Sequence, residues 1–436
     1  MIVAEDSKLI TIDRPPVSET AILVRLVVPG DDHDEVEESL AEMRRLAWTA
    51  GAEVACTMVQ RRAVPCPATL IGAGKVEQIA RAVGELEANL VVFDSELSPT
   101  QGSKLQKALG VKVLDRTQLI LDIFAQRART NEGKHQVELA QLQYILPRLT
   151  GRGVEMARLG GGIGTRGPGE QKLEVDRRVI RKRIDRLRSD LDEIRRHRQT
   201  QRKRRMEGAV GTVALVGYTN AGKSSLLNAL TQAGVFVEDK LFATLDPTSR
   251  RCDLPGGGQV VMTDTVGFIR KLPHGLVAAF RATLEEVNEA DLILLVSDVS
   301  HEGVDEQVGA VMGVLEEIGV TDKPLIRVYN KIDAADEDSV REKLNQPGES
   351  FAVSALTREG LPDLLTRIER FFANARTRVT LRIPQQEASL VSRVYEWGRV
   401  FDRAYDGNDI VLDAELASPQ LGSLKAYVVD GVDGQD

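Results

Sequence analysis

The stretch Gly217-Tyr218-Thr219-Asn220-Ala221-Gly222-Lys223-Ser224 matches the pattern G-x-x-x-x-G-K-[ST] of a phosphate-binding loop. The apolar run Val213 to Val216 before it predicts a strand, and Ser225 to Leu230 after it predicts the start of a helix. Glycines let the backbone N–H groups approach phosphates closely, Lys223 would reach the terminal phosphates, and the Ser224 hydroxyl would ligate magnesium. An ordinary glycine turn between a strand and a helix is the alternative interpretation.

A second motif, Asn330-Lys331-Ile332-Asp333, follows the predicted strand Leu325 to Tyr329. Ligands bind at the carboxyl ends of strands in open α/β sheets. The Asp333 carboxylate offers two acceptors to the ring N–H and the exocyclic amine of guanine, whereas adenine presents neither donor there. A buried carboxylate left unpaired costs about 1–3 kcal/mol or more, so Asp333 predicts selection of GTP over ATP. The tripeptide Ser354-Ala355-Leu356, after another short strand, would donate backbone N–H groups to the guanine oxygen.

Two segments between these motifs have the character of nucleotide-sensing loops. The first ends a predicted strand as Asp264-Thr265-Val266-Gly267, where Asp264 would hold magnesium through water and the Gly267 N–H would sense the γ-phosphate. The second is Phe242-Ala243-Thr244-Leu245-Asp246, in which Thr244 is the predicted second magnesium hydroxyl and Thr248 is the alternative. These elements occur in the order expected of a P-loop GTPase domain, with Mg²⁺ as the cofactor and GTP as the substrate.

The residue after Gly267 is Phe268, at the position where many small switch GTPases carry a glutamine that orients the attacking water. A phenyl ring cannot orient water. Unaided hydrolysis is therefore expected to be slow, on the order of 10⁻⁴ to 10⁻² s⁻¹, with an external partner completing the site. The alternative is that Phe268 is a packed residue and that another group, for instance His274 or Arg270, does the work.

The composition bounds the class of protein. A chain of 436 residues is expected to form two to four domains, and 42% hydrophobic residues can build real cores. Its three cysteines, Cys56, Cys66 and Cys252, have no metal-site or disulfide spacing. No signal peptide and no membrane-spanning run are predicted, so a soluble, cytoplasmic protein is expected. A monomer is expected as well.

Positive charge is concentrated in one segment. Residues 171–205 carry 15 Lys or Arg and 6 Asp or Glu, although the whole chain has a net charge of −8. Aromatic residues are scarce, at 4%, so base-stacking RNA modules are not expected. Any contact with RNA should involve phosphates and shape.

The N-terminal region, residues 1–130, alternates short apolar runs with amphipathic segments. This alternation predicts a parallel α/β domain with strands at about 21–28, 52–59, 90–93 and 111–114 and helices at about 34–50, 75–86 and 99–109. The tetrad Gly72-Ala73-Gly74-Lys75 lacks the full phosphate-loop spacing and is interpreted as a turn and a helix start.

Residues 131–207 are predicted to form a long helical hairpin with a glycine-rich tip. A helix is expected at about 132–146 and a second one at about 170–204, where Leu173, Ile180, Leu187 and Ile194 recur every seven residues as in a coiled coil. The loop between them, residues 151–169, is rich in glycine and arginine, which favours contact with a phosphate-rich surface. A flexible linker beside a solvated helix is the alternative. The GTPase domain is predicted at residues 208–376, and a small α+β domain without recognisable chemistry at 377–436.

Taken together, the motifs resemble those of the HflX GTPases. The segments that carry the resemblance are GYTNAGKS at 217–224, FATLDPT at 242–248, DTVGFIRKLPH at 264–274 and, above all, GGGIGTRGPGE at 160–170 joined to the basic coiled coil. The resemblance covers essentially the whole chain and is least specific at the C-terminus.

This resemblance implies a ribosome-associated GTPase that binds the large ribosomal subunit and its ribosomal RNA, and that splits stalled or idle ribosomes under stress. It further implies that the large subunit stimulates hydrolysis. Lys223, Thr244 and Gly267 are the implied catalytic residues, and Ser224 and Thr244 the implied magnesium ligands. The implied nucleotide contacts are Gly217 to Ser225, Phe242 to Asp246, Asp264 to Gly267, Asn330 to Asp333 and Ser354 to Leu356. Two rival functions are a large-subunit assembly or RNA-binding factor with little turnover, and a P-loop kinase of small molecules.

Overall fold

The computed structural model of the chain describes residues 19–150, 168–205, 211–231, 241–270, 281–320, 323–374, 376–417, 421 and 424–431. Two compact units are distinguished, one formed by residues 1–123 and 144–177 and the other by residues 124–143 and 178–436. None of the helices in the described ranges combines the length and apolar character that a membrane span requires.

The first unit contains a four-stranded, wholly parallel sheet in the order β2-β1-β3-β4. Its elements are β1 (Glu19–Val27), α1 (His33–Ala50), β2 (Ala52–Arg61), α2 (Ala73–Glu85), β3 (Leu90–Phe93), α3 (Pro99–Leu109) and β4 (Lys112–Asp115). The expected α/β alternation is confirmed, and Gly72 is the residue before α2, as interpreted from the sequence. The helix starts follow from local chemistry, since Ser98 and Gln101 form a reciprocal capping box in front of α3.

A buried polar cluster lies at the carboxyl ends of these strands. Arg25 of β1 and Arg116 both donate to the Asp94 carboxylate, the latter at 2.9 Å, and Ser39 of α1 donates to Asp94 at 2.8 Å. Arg116 also pairs with Glu42. All five side chains are buried. Burial raises the pKa of Asp94, but the two guanidinium groups outweigh it and hold that pKa below its usual value.

Three helices follow within the described residues. They are α4 (Arg116–Arg127), α5 (Asn131–Ile145) and α6 (Pro168–Arg205), and a 3₁₀ turn, Leu146–Thr150, comes after α5. The helix α4 is an addition to the elements predicted from the sequence. Of the predicted seam of α6, Leu187 is buried and Ile180 and Ile194 are partly buried; Ile184, between two seam positions, is buried as well. Arg183 of α6 makes a bidentate ion pair with Glu138 of α5, with both contacts at 2.7 Å. The glycine-rich loop, residues 151–167, lies outside the described residues.

The second unit contains a six-stranded sheet in the order β10-β9-β8-β5-β7-β6, in which only β6 is antiparallel. Its elements are β5 (Gly211–Gly217), α7 (Lys223–Thr231), β6 (Thr248–Asp253), β7 (Gln259–Asp264), α8 (Arg281–Glu289), β8 (Leu292–Asp298), α9 (Val304–Glu317), β9 (Leu325–Asn330), α10 (Glu337–Leu344), β10 (Ser350–Ala352) and α11 (Leu361–Asn374). The central strands are buried on both faces, as parallel strands covered by helices should be.

The C-terminal part folds as the predicted small α+β structure. Four antiparallel strands lie in the order β12-β13-β11-β14, with one helix on the sheet. They are β11 (Arg376–Pro384), α12 (Ala388–Trp397), β12 (Arg399–Asp406), β13 (Asp409–Ala417) and β14 (Val428–Gly431). Its core is separate from that of the six-stranded sheet.

Candidate active site

The phosphate loop connects β5 to α7, as the sequence predicts. Lys223 is the first residue of α7 and is buried, and its ammonium donates to the carbonyls of Gly217 at 3.1 Å and Tyr218 at 2.8 Å. Desolvation lowers the pKa of Lys223 to about 8, although the charge of Asp264 opposes this shift. The Lys223 side chain thus crosses the phosphate loop at the place where phosphates would bind.

Three oxygen-bearing side chains converge beside this lysine. The Ser224 hydroxyl donates to the Asp264 carboxylate at 2.6 Å, Thr244 donates to the same carboxylate oxygen at 2.9 Å, and the two hydroxyls are 2.9 Å apart. The other oxygen of Asp264 is buried and has no hydrogen-bond partner among the described residues. Burial raises the pKa of Asp264, and Lys223 is the strongest opposing influence.

This cluster fits a magnesium ion, because Mg²⁺ prefers hard oxygen ligands and is held in such sites by a phosphate-loop hydroxyl and an acid at a strand end. Groups of three or more His, Cys, Asp or Glu with metal-site spacing are absent from the described residues. That absence does not weigh against magnesium here, since two of the candidate ligands are hydroxyls. Ser224 and Thr244 are placed to ligate the ion, with the Asp264 carboxylate next to them.

A cleft opens over this cluster. Its lining includes residues of the phosphate loop, of the loop before β6 and of the loop after β7: Thr219, Asn220, Gly222, Lys223, Ser224, Ser225, Phe242, Ala243, Thr244, Thr265 and Gly267. The structure therefore brings together three stretches that the sequence predicts to bind the phosphate end of the nucleotide. Leu245 and Val266, from the same stretches, are buried and are not part of this lining.

Gly267 lies where a side chain would not fit. A Cβ atom at this position would be 2.6 Å from the Thr219 Cα and 3.0 Å from the Lys223 Nζ. Phe268, the next residue, is 2% exposed, and its backbone pairs with the phosphate loop through Phe268 N to Gly217 O at 3.1 Å and Thr219 N to Phe268 O at 2.7 Å. Phe268 is thus a packed residue. His274 lies outside the described residues.

A second group of candidate residues lies at the carboxyl end of β9. Asn330 is buried and donates from its side-chain amide to the Ala221 carbonyl at 3.0 Å, and it accepts from the Ala355 N–H at 3.0 Å. The Ser354 hydroxyl donates to the Asp333 carboxylate at 2.5 Å. Asn330, Asp333, Ser354 and Ala355 are therefore brought together, as the sequence predicts. Leu356 is 82% exposed. Because its side chain has no polar group, only its backbone can make a polar contact.

Sequence reasoning missed some polar partners in this group. Asp298, at the end of β8, pairs with Lys331 at 2.7 Å and thereby fixes the direction of the lysine stem beside the candidate base site. Lys331 has a positive φ of 66°, a conformation that lysine rarely adopts. The sequence signal that could have indicated this pair is Asp298, an acidic residue at the end of the apolar strand β8.

The loop before β6 is fastened at several points. The Phe242 N–H donates to the Thr219 hydroxyl at 2.9 Å, and the Phe242 ring makes an edge-to-face contact with Phe124 of α4, with centroids 4.8 Å apart. Asp246, predicted to contact the nucleotide, accepts from the Arg129 and Thr130 N–H groups at 2.9 and 3.0 Å. Its carboxylate is therefore engaged by the segment before α5.

Four family profiles match consecutive parts of the chain. They are described as GTP-binding GTPase N-terminal (residues 37–125), GTP-binding GTPase Middle Region (127–205), 50S ribosome-binding GTPase (212–331) and HflX C-terminal domain (339–431).

Individual proteins are similar over nearly the whole chain. A GTPase HflX of Caldanaerobacter subterraneus subsp. tengcongensis is 48% identical over 94% of each chain. A GTPase HflX of Lacrimispora saccharolytica is 46% identical, with 95% of this chain and 97% of that one covered. Among solved structures, a GTP-binding protein from the archaeon Sulfolobus solfataricus in complex with GDP is 26% identical, with 82% of this chain and 99% of that chain covered and a TM-score of 0.43.

Proposed function

Because the chain belongs to the HflX family of GTPases, we propose that it binds the large ribosomal subunit and splits stalled or idle ribosomes into subunits. As a member of this family it is a GTPase, and residues 212–331 match the 50S ribosome-binding GTPase profile. The proposal adds the splitting of ribosomes, the stimulation of hydrolysis by the large subunit and a cytoplasmic location with ribosomes.

The observation that carries this proposal is the exposed basic face of α6 in the chain that holds the nucleotide site. Arg178, Lys182 and Arg186 are exposed along this helix. Arg183 differs from them, because it is occupied by its ion pair with Glu138 of α5. Exposed cations at helical spacing are suited to phosphates of RNA, and each phosphate that they neutralise releases counterions.

The chemistry proposed for the site follows from its geometry. Bound Mg²⁺ would neutralise charge that develops on the β- and γ-phosphates. Ser224 and Thr244 would hold this ion, Lys223 would contact the same phosphates, and the Gly267 N–H would sense the γ-phosphate. Asp333 would accept from the guanine ring N–H and amine, with Ser354 fixing one oxygen of its carboxylate.

Turnover by the isolated chain should be slow because Phe268 stands at the position of the catalytic glutamine. Phe268 is packed and joined to the phosphate loop by its backbone, so it offers no polar group to the attacking water. A group supplied by the ribosome would complete the site, as activators do for other switch GTPases.

Cosedimentation with large subunits at several salt concentrations tests whether the basic face of α6 contacts RNA. Replacing Arg178, Lys182 and Arg186 together by alanine should weaken binding and reduce the slope of log affinity against log salt by up to about 2–3 units, since each of three phosphate contacts contributes roughly 0.7–0.9. Arg341→Ala is the matched control, because it removes an exposed arginine from α10 of the same chain. Binding and slope unchanged by the triple variant would exclude α6 as the RNA contact.

Light scattering of intact ribosomes tests splitting itself. Wild-type protein with GTP should lower the scattering, and replacing the glycines from Gly160 to Gly164 by alanines should impair splitting more than binding, because alanine restricts the backbone while the charges remain. Binding without any splitting by the wild-type protein would favour the assembly-factor function instead.

A further inference from the structure

The loop before β6 is held in place by a part of the chain outside the sheet that carries the nucleotide site. We define this loop as the switch segment, residues 242–246. We propose that the N-terminus of α5 is its receptor, and that Asp246, bound there, is a positioning residue for Thr244. This inference rests on the proposed role of Thr244 as a magnesium ligand.

Asp246 is held by three donors from Arg129 and Thr130, the two residues that precede α5. One carboxylate oxygen accepts from the Arg129 N–H at 2.9 Å and the Thr130 N–H at 3.0 Å, and the other accepts from the Thr130 hydroxyl at 2.5 Å. The same hydroxyl accepts from the Gly133 N–H at 3.0 Å, so Thr130 also caps the helix. A carboxylate at this place is stabilised by the unpaired N–H groups and the positive end of the helix dipole.

The receptor is shaped for the carboxylate. Gly133 is buried in the first turn of α5, and a Cβ atom there would be 2.2 Å from Oδ1 of Asp246. Glycine is a poor helix residue, and alanine would favour α5 by itself. The absence of a side chain at Gly133 thus costs helix stability and leaves room for Asp246.

The other end of the switch segment is fixed as well. Phe242 has a φ of 55°, which an aromatic residue rarely adopts, and it is held there by the Thr219 hydroxyl and the Phe124 ring. Thr244 lies between the two attachments, with its hydroxyl 2.9 Å from Ser224 and 2.9 Å from Asp264. The two attachments together keep this hydroxyl at the candidate magnesium position.

A consequence for nucleotide selection follows. GTP with magnesium uses the switch threonine, whereas GDP binding depends chiefly on the phosphate loop and the guanine contacts. Loss of the Asp246 contact should therefore weaken a GTP analogue and leave GDP almost unaffected. A partner that displaces the start of α5 would lower the affinity for GTP. By linkage, GTP would lower the affinity for that partner by the same factor.

Gly133→Ala gives the sharpest test, because alanine should stabilise α5 while it weakens the contact with Asp246. We would measure the dissociation constants of guanosine 5′-imidotriphosphate and GDP with Mg²⁺ on the isolated full chain, together with the melting temperature. The ratio of the two affinities should shift against the GTP analogue by about threefold to tenfold, the equivalent of one or two hydrogen bonds, without a lower melting temperature. Gly313→Ala in α9, where a Cβ meets nothing within 4 Å, is the matched control.

Thr130 supplies the second pair of variants. Thr130→Val removes the hydroxyl at similar volume and should shift the ratio of the two affinities in the same direction. Thr130→Ser retains the hydroxyl and should keep the wild-type ratio. A ratio unchanged in both Gly133→Ala and Thr130→Val, or an equal loss for GDP and the analogue, would overturn the proposal.

Thr244→Ala separates this inference from the assignment on which it rests. The alanine variant should lose the preference for the GTP analogue, and adding Gly133→Ala should then change little. A shifted ratio in Thr244→Ala with an unchanged ratio in Gly133→Ala would overturn the receptor alone. An unchanged ratio in Thr244→Ala would overturn the magnesium assignment and the receptor together. Ribosomes are absent throughout, so failure to split ribosomes would leave this result intact.

Discussion

The side-chain amide of Asn330 donates to the backbone carbonyl of Ala221 at 3.0 Å. Asn330 is the last residue of the strand β9, whereas Ala221 belongs to the phosphate loop 109 residues earlier in the chain. The same side chain accepts from the Ala355 N–H at 3.0 Å, so one buried residue joins the phosphate loop to both guanine loops. The two ends of the nucleotide are therefore expected to bind to one rigid frame.

Asp333→Asn should change the base that the site selects. The amide places a donor where guanine presents its amine, so GTP should bind at least tenfold more weakly and xanthosine triphosphate should bind better. Ser354 donates to Asp333 and holds it in place, so Ser354→Ala is expected to weaken GTP without favouring xanthosine. Equilibrium binding with fluorescent nucleotides measures both effects. Equal GTP affinity in Asp333→Asn and the wild type would remove the basis for guanine selection.

Gly267→Ala should separate the phosphate loop from the loop after β7. The added methyl would lie 2.6 Å from the Thr219 Cα, a backbone atom that cannot move aside cheaply. Affinity for a GTP analogue should fall by tenfold or more, and by a larger factor than affinity for GDP, because the Gly267 N–H is proposed to contact the γ-phosphate, which GDP lacks. Gly309→Ala in α9, which meets nothing within 4 Å, should bind both nucleotides normally. Similar affinities in the two variants would argue against this packing.

Nucleotide binding should take up a proton at mildly alkaline pH. Desolvation lowers the pKa of Lys223 to about 8 in the free protein, and contact with phosphates should raise it again. Affinity should therefore be fully present below about pH 8 and fall as the pH rises above it, by up to tenfold per unit. Calorimetry at pH 8.5 in buffers of different ionisation enthalpy measures the uptake directly. Lys223→Arg keeps its charge and should show no uptake, and equal uptake in both proteins would point to another group.

Asp94→Asn should destabilise the first unit. The substitution leaves the buried Arg25 and Arg116 without their shared carboxylate, at a cost of about 3–5 kcal/mol. Arg341→Ala removes an exposed pair and should cost less than about 1 kcal/mol. Hydrogen exchange of the β1 amides reports the local free energy of opening.

The same carboxyl sets a pH dependence. The folded state holds the pKa of Asp94 below its usual value, so its contribution to stability is present above the unfolded pKa, about 3.9, and is lost as the pH falls through the folded pKa. The β1 amides of the wild type should open more readily over that acid range, and Asp94→Asn should lack this component. An identical acid dependence in both proteins would contradict the ion-pair account.

Local patterns predicted much of the fold and of the candidate site. Strand alternation and the phosphate-loop spacing are contained within a few neighbouring residues, and each predicted its elements well. The grouping of Asn330 with Ser354 was predicted because parallel strands end at one edge of a sheet. These features require no knowledge of long-range packing.

The remaining features depend on contacts that no local pattern contains. The helix α4 was missed because it begins at Arg116 directly after β4, although Asp115 caps it by accepting from the Gln118 N–H at 2.9 Å. Asp246 stands beside the predicted magnesium threonine, so nucleotide contact was the natural expectation, yet its partners lie 116 and 117 residues away. The buried Arg25 and Asp94 are 69 residues apart. From the sequence alone, charged residues such as these are expected to be exposed, because their burial depends on partners distant in the chain.

The most direct test of the central claim is the rate of GTP hydrolysis with and without large ribosomal subunits. Phe268 offers no group to position water, so the isolated chain should turn over slowly, and large subunits should raise the rate at least about tenfold. The triple alanine variant of Arg178, Lys182 and Arg186 should keep the basal rate and lose most of the stimulation at physiological salt, because its contact with RNA is weakened. Fast turnover by the isolated chain, unchanged by large subunits, would contradict the account.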